Sequence, residues 1–131
     1  VRAADALVAA FAATDTEAYF AAFAADATFV FHTEPARLED RAAYEALWRS
    51  WLDAGWRVLE CRSSAARVQV LGSVGIFTHD VRTTVSTPDG PQTTQERETV
   101  VFARRGSGEL LAVHEHLSPA APPAPSAQEG R

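Results

Sequence analysis

At 131 residues and 47% apolar side chains, the chain is long enough to build one domain around its own core and too apolar to read as disordered. Its formal net charge is −5 and its arginines are scattered, which argues against a nucleic-acid or anionic-membrane partner. A single cysteine, Cys61, permits no intrachain disulfide, and no apolar run reaches the roughly 18–20 residues that cross a bilayer, so a reducing, cytoplasmic setting is the expectation.

The alanine-rich opening, VRAADALVAAFAA, is punctuated by Arg2 and Asp5 and does not read as a signal peptide. It places Ala4, Leu7, Val8 and Phe11 at helical spacing. A second helix is predicted in TDTEAYFAAF, with Thr14 or Thr16 as its cap, Glu17 in its first turn and a stripe of Tyr19, Phe20 and Phe23. ATFVFH, residues 27–32, reads as a strand, and TEPARLED as a loop ending in Asp40, a natural N-cap. In the third helix, RAAYEALWRSWLDAG, Tyr44, Leu47, Trp48, Trp51 and Leu52 form one broad apolar face, and Gly55 ends it.

Beyond Gly55 the periodicity is that of strands. WRVLECRSSAARVQVLG runs to Gly72, VGIFTHDVRTTVST follows, and PDG (88–90) turns the chain into TTQERETVVFARR. A second turn, GSG (106–108), leads to ELLAVHEHLS. Four long strands joined by tight turns predict an antiparallel meander over 56–118 and an α+β fold, a cone-shaped curved sheet wrapped over three N-terminal helices. Residues 1–118 form the expected domain, and the Pro/Ala-rich residues 119–131 a flexible tail.

The polar strand residues carry the chemistry. In LAVHEHLS, alternation puts His114 and His116 on one face and Glu115 on the other. A His-x-His pair with a third histidine, from His32 or His79, has the residue types of a zinc site on a sheet. Cys61 has no adjacent base and reads as an inert strand residue.

The element order, with the segments AAFAADATFVF, ERETVVF and LAVHEHLS, resembles the nuclear-transport-factor-2-like superfamily, also called SnoaL-like or ketosteroid-isomerase-like. The last two segments are similar to a small bacterial branch akin to the association domain of calcium/calmodulin-dependent kinase II. The resemblance implies a homodimer formed through the outer sheet face, a pocket between sheet and helices for a small molecule, and neither metal nor organic cofactor. It also excludes one chemistry. The catalytic aspartate of ketosteroid isomerases falls at Phe31 and the oxyanion-binding tyrosine at Leu7, while the fourth-strand acid is kept as Glu98. Phenylalanine abstracts no proton and leucine stabilises no dienolate.

By the same resemblance Val113, Glu115 and Leu117 face the pocket, and His114 and His116 face a second subunit. The face of the third strand with Ile76, Thr78, Asp80 and Arg82 would also point inward. A one-residue slip would put His79 inside in place of Asp80. The expected pocket has Asp80, Arg82, Glu98 and Glu115 at its centre and Trp48, Trp51, Tyr19 and Phe102 as walls, although tryptophans at the helical spacing of Trp48 and Trp51 are more often plain core. Glu115 among apolar neighbours suits a general acid or base; the competing reading is an internal ion pair with Arg82 or Arg97. His32, beside the entrance to the third helix, is either a second acid or structural. The function expected is a small-molecule pocket protein, a cofactor-independent acid–base enzyme of isomerase, dehydratase or cyclase type. In it Glu115 or Asp80 is the base and Arg82 holds an anionic or oxyanionic group. The alternative is a non-catalytic oligomerisation or ligand-sensing module like the kinase association domain.

Overall fold

The computed structural model describes residues 2–106 and 108–120. Helices α1 (Arg2–Ala12) and α2 (Thr16–Ala21) lead into strand β1 (Phe23–Phe31), and helix α3 (Arg41–Asp53) follows. Strands β2 (Arg57–Leu71), β3 (Val74–Ser86), β4 (Gln92–Arg104) and β5 (Leu110–Pro119) complete the chain. The last four pair antiparallel in sequence order, as the turn residues predict, with Gly72, Gly90 and Gly108 at positive φ in the connections. β1 joins the other side of β5 in parallel, giving one open sheet of order β1-β5-β4-β3-β2. The fold is α+β, a curved sheet with the helices against its inner face.

Local chemistry explains the boundaries. Asp40 caps α3 by accepting from the Ala43 N–H at 2.9 Å, and Gly55 at φ +94° ends it. The cap of α2 is Asp15, which accepts from the Ala18 N–H at 3.2 Å, and neither expected threonine serves. Both are engaged elsewhere. Thr14 Oγ1 accepts from the Val58 N–H at 2.9 Å and donates to the Val58 carbonyl at 3.3 Å, pinning the turn after α1 to β2. Thr16 Oγ1 accepts from the Trp48 indole N–H at 2.9 Å. β1 begins at Phe23, earlier than the expected Ala27, so Phe23 leaves the helical stripe yet stays fully buried.

Curvature comes from bulges. β2 shifts register between Val58 and Glu60 and again between Ser64 and Arg67, where Ala65 sits at φ +52°. β5 carries the bulge that matters most for the site. Phe102 faces Ala112 and Val101 faces His114, so Val113 is an extra residue with no partner on β4. The core lies between helices and sheet, with Trp48, Tyr19, Phe23, Phe29 and Val100 its largest fully buried side chains. Each contributes about 1.5–3 kcal/mol by burial. The Ala120 N–H still donates to the Gln95 carbonyl at 2.9 Å; the rest of the expected tail lies outside the described residues. No described helix is long and apolar enough to cross a membrane.

Candidate functional site

One face of each strand is buried by period-two alternation. On β3 it holds Phe77, His79, Val81 and Thr83, on β4 Glu96, Glu98, Val100 and Phe102, and on the distal half of β5 Glu115 and Leu117. Between this face and the helices lies a cavity of about 300 Å³. Apolar side chains form most of its wall, including Leu7, Phe11, Phe31, Trp51, Trp56 and Val81. Its polar side is built from Tyr19, Tyr44, His79, Glu96, Glu98 and Glu115.

Most of these polar groups form one hydrogen-bonded chain, and Glu96 stands apart from it with His32. His79 lies directly opposite Glu98 in the β3–β4 register, and its Nε2 is 2.6 Å from Glu98 Oε1. On the other side of the ring, Nδ1 is 2.6 Å from Ser63 Oγ on β2. Glu115, between Phe29 of β1 and Val100 of β4, shares a hydrogen bond with Glu98 and accepts a long one from Tyr19 at 3.4 Å. The Tyr19 hydroxyl is in turn 2.9 Å from that of Tyr44. Nearer the edge, Glu96 Oε2 is 2.6 Å from His32 Nε2 and Glu96 Oε1 accepts from Thr94 at 3.3 Å. Among the described residues no buried side-chain nitrogen or oxygen lacks a partner.

Electrostatics orders the protons along this chain. Burial, then the charge of Glu98, pushes the Glu115 carboxyl well above the ordinary glutamate value. Burial pulls Glu98 the same way, but the hydrogen bonds from Glu115 and His79, and the charge of His79, outweigh it and hold Glu98 below that value. Of this pair Glu115 is the one shifted towards its protonated form, and Glu98, facing His79, the one shifted towards the carboxylate. Burial raises both tyrosines, and Glu115 adds to this once it ionises, so they remain donors. An ionised carboxylate only accepts, so His79 Nε2 is protonated, and the Ser63 hydroxyl can serve Nδ1 as donor or acceptor. Two donor chains thus converge on one carboxylate, Glu98.

Several expected site residues lie elsewhere. Asp80 and Arg82 are exposed on the outer face of β3, and His79 takes the inward position. The reason is that Phe77 and Val81 occupy the same face and are buried, and a face carrying Asp80 and Arg82 would have to desolvate both charges. Arg97 is exposed as well, so Glu115 pairs with neither arginine and its close partner is another carboxyl. The bulge removes Val113 from the cavity face and leaves Ala112 buried in its stead. Trp48 is core, stacked on Tyr19 at 4.9 Å, and Phe102 borders a separate cavity of about 200 Å³ with Ala4 and Phe77. Glu115, Glu98, Tyr19, Trp51 and Leu117 do line the main cavity, and His32 reaches it through Glu96.

His114 and His116 are on the opposite face from Glu115, His114 bonding Thr28 Oγ1 at 2.8 Å. Among the described residues no group of three or more His, Cys, Asp or Glu side chains is arranged to hold a metal. Cys61 lines the cavity, where burial raises its thiol. Ser63, Glu96 and the hydroxyl role of Tyr44 were missed in the sequence. The signal for Glu96 was present, because Glu96, Glu98, Val100 and Phe102 alternate on one face.

The fold has many solved counterparts. An NTF2-like superfamily protein from Salmonella enterica superposes with a TM-score of 0.81 at 15% identity, over 96% of this chain and 92% of that one. An NTF2-like protein of unknown function in nutrient uptake from Rhodospirillum rubrum gives 0.77 at 21% identity, over 91% and 96%. A putative calcium/calmodulin-dependent protein kinase II association domain from Xanthomonas campestris gives 0.74 at 19% identity, over 92% and 84%. These identities establish the shared fold alone. No curated protein matches the chain. The family model described as a SnoaL-like domain matches residues 1–122, and the chain therefore belongs to the SnoaL-like family.

Proposed function

We propose that the protein is a cofactor-independent acid–base enzyme of isomerase, dehydratase or cyclase type, acting on a small and largely apolar molecule. The observation that carries this reading is Glu98 at the polar side of an apolar cavity, 2.6 Å from His79 Nε2 and beside the buried Glu115. Glu98 meets a bound molecule with its hydrogen bonds already in place and little hydration to shed, so it can take a proton from a C–H or O–H without the solvent reorganisation that a carboxylate in water needs. Glu98 takes the proton, and the His79–Ser63 pair supports its charge before transfer. Neutral Glu115, with Tyr19 and Tyr44 behind it, supplies a proton or a hydrogen bond where negative charge develops on the substrate. Phe31 and Leu7, at the positions where the resemblance would put the steroid-isomerase base and oxyanion donor, line the cavity as apolar wall and speak against that arrangement.

The test uses nitrobenzisoxazole, a neutral probe whose ring opens when a base removes its C–H proton, the N–O bond breaking to release a coloured cyanophenolate. The expected result is saturable turnover that Glu98→Gln lowers by on the order of 10²–10⁴-fold. A wild-type rate no greater than that of free acetate at matched concentration would overturn the reading. The apolar residues at the two isomerase positions favour a second reading, a ligand-sensing module like the association domain that the Xanthomonas relative is described as. It predicts saturable binding of the probe without turnover.

A further inference from the structure

Among the described residues the cavity is bordered by no lysine or arginine, and its lining histidine, His79, is already bonded to Glu98. Lysine is absent from the chain altogether. Arg82 and Arg97 point outward, Arg41 is spent on the Phe23 carbonyl at 2.9 Å, and Arg105 reaches Asp26 at 3.1 Å. Carboxyl groups are plentiful by contrast: Glu34, Glu96, Glu98 and Glu115 all border the space. The two histidines nearby, His79 and His32, each commit a ring nitrogen to a glutamate at 2.6 Å.

The opposite wall is aromatic and turned towards the ligand space. Phe11, Trp51 and Trp56 are half-buried and line the cavity, whereas Trp48 behind them is fully buried. The Trp56 ring centroid lies 5.2 Å from that of Trp51 and 6.2 Å from that of Phe11, so the three rings form a continuous apolar surface. The faces of such rings are negative and attract organic cations, tryptophan most strongly. A carboxylate or phosphate entering here would lose its hydration, meet other carboxylates and find no partner of opposite sign. A protonated amine would meet carboxyl groups and aromatic rings together.

We infer that the ligand of this cavity is an organic amine in its protonated form, an ammonium head on a compact aromatic or alicyclic body, and that carboxylates and phosphate esters are rejected. A volume of about 300 Å³ is at the small end of ligand pockets, which limits the body to one or two rings. This deepens the acid–base reading and rests on it for the location of the ligand.

The experiment compares phenylpropylamine, phenylpropanol and phenylpropanoate, which share a body and differ in the charge of the head. Binding is read from the fluorescence of Trp51 and Trp56, with calorimetry as a second readout. The expected order is amine, alcohol, carboxylate, with the amine at least about tenfold tighter than the alcohol, and Glu98→Gln erasing most of that advantage. Equal affinities for the three heads, or a carboxylate that binds as tightly as the amine, overturns the inference. If Glu98→Gln does not fold, the wild-type order alone decides. The neutral benzisoxazole probe keeps the two readings apart. Turnover of that probe by a protein indifferent to head charge preserves the catalysis and rejects this inference. Amine selectivity without turnover does the reverse.

Discussion

His79 and Glu98 face each other across β3 and β4 and are joined by a 2.6 Å hydrogen bond, with Ser63 bonded to the far side of the imidazole. This pair decides which carboxyl of the cavity is ionised. Replacing His79 with phenylalanine keeps the ring and removes both bonds, so Glu98 loses a donor in a buried place. The variant should be destabilised by about 1–3 kcal/mol at neutral pH. Its benzisoxazole turnover should also fall, with the acid limb of the pH–rate profile moved to higher pH as Glu98 becomes harder to ionise. Chemical denaturation and the pH profile check this. An unmoved acid limb would remove Glu98 as the base.

Glu115 should reveal itself in the pH dependence of stability. Its folded value is raised by burial and by Glu98, so its contribution is complete below the ordinary glutamate range and is lost as pH rises through the folded value. Glu98 runs the other way, its contribution present above the ordinary glutamate range and lost as pH falls through its lowered folded value. Glu115→Gln copies the protonated form. Its urea midpoint should therefore stay level as pH rises above the ordinary glutamate range, where that of the wild type declines. An arginine pair would give the contrary result, a loss of about 3 kcal/mol or more at neutral pH.

The two faces of β3 can be separated by substitution. Asp80→Ala and Arg82→Ala, both on the exposed face, should each change stability by no more than about 0.5 kcal/mol and leave probe turnover intact. Phe77→Ala on the buried face should cost about 3–5 kcal/mol. Thermal or urea unfolding of the three variants measures this, and a severe loss at Asp80 would contradict the register.

We propose that two copies associate through the outer sheet face, where half-buried Ile76, Thr78, Thr99 and Val101 lie beside His114. Sedimentation at micromolar concentration should give a dimer, and Val101→Arg, at the centre of that face, should give a monomer with unchanged probe turnover. A wild-type monomer would reject the arrangement.

Much of this architecture was legible in the residues. Asp40 and Gly55 bracket α3, and PDG and GSG mark two turns of the meander, because caps and turns depend on local backbone chemistry that a few neighbouring residues supply. The opposed faces of Glu115 and His114 also followed from strand alternation alone. On β3 the residues were a better guide than the family resemblance. Phe77, Val81 and Val85 share a face with His79, and that apolar alternation pointed inward while the resemblance pointed to Asp80.

Other features belong to the tertiary structure. The bulge at Val113 inverts the face of everything upstream of it in β5, and an extra residue leaves no mark in the local pattern, because it is defined only against the partner strand. The parallel pairing of β1 with β5 brings together segments more than eighty residues apart in sequence, Thr28 with His114 among them. The proton order was equally hidden. Glu98 and Glu115 are both glutamates in apolar strands, and composition treats them alike. One is shifted towards its carboxylate form by hydrogen bonds that include the one from His79 opposite it, and the other towards its protonated form by burial and then by the first. Charge in a buried site is set by distances between side chains, and those distances exist only once the sheet has closed over the helices.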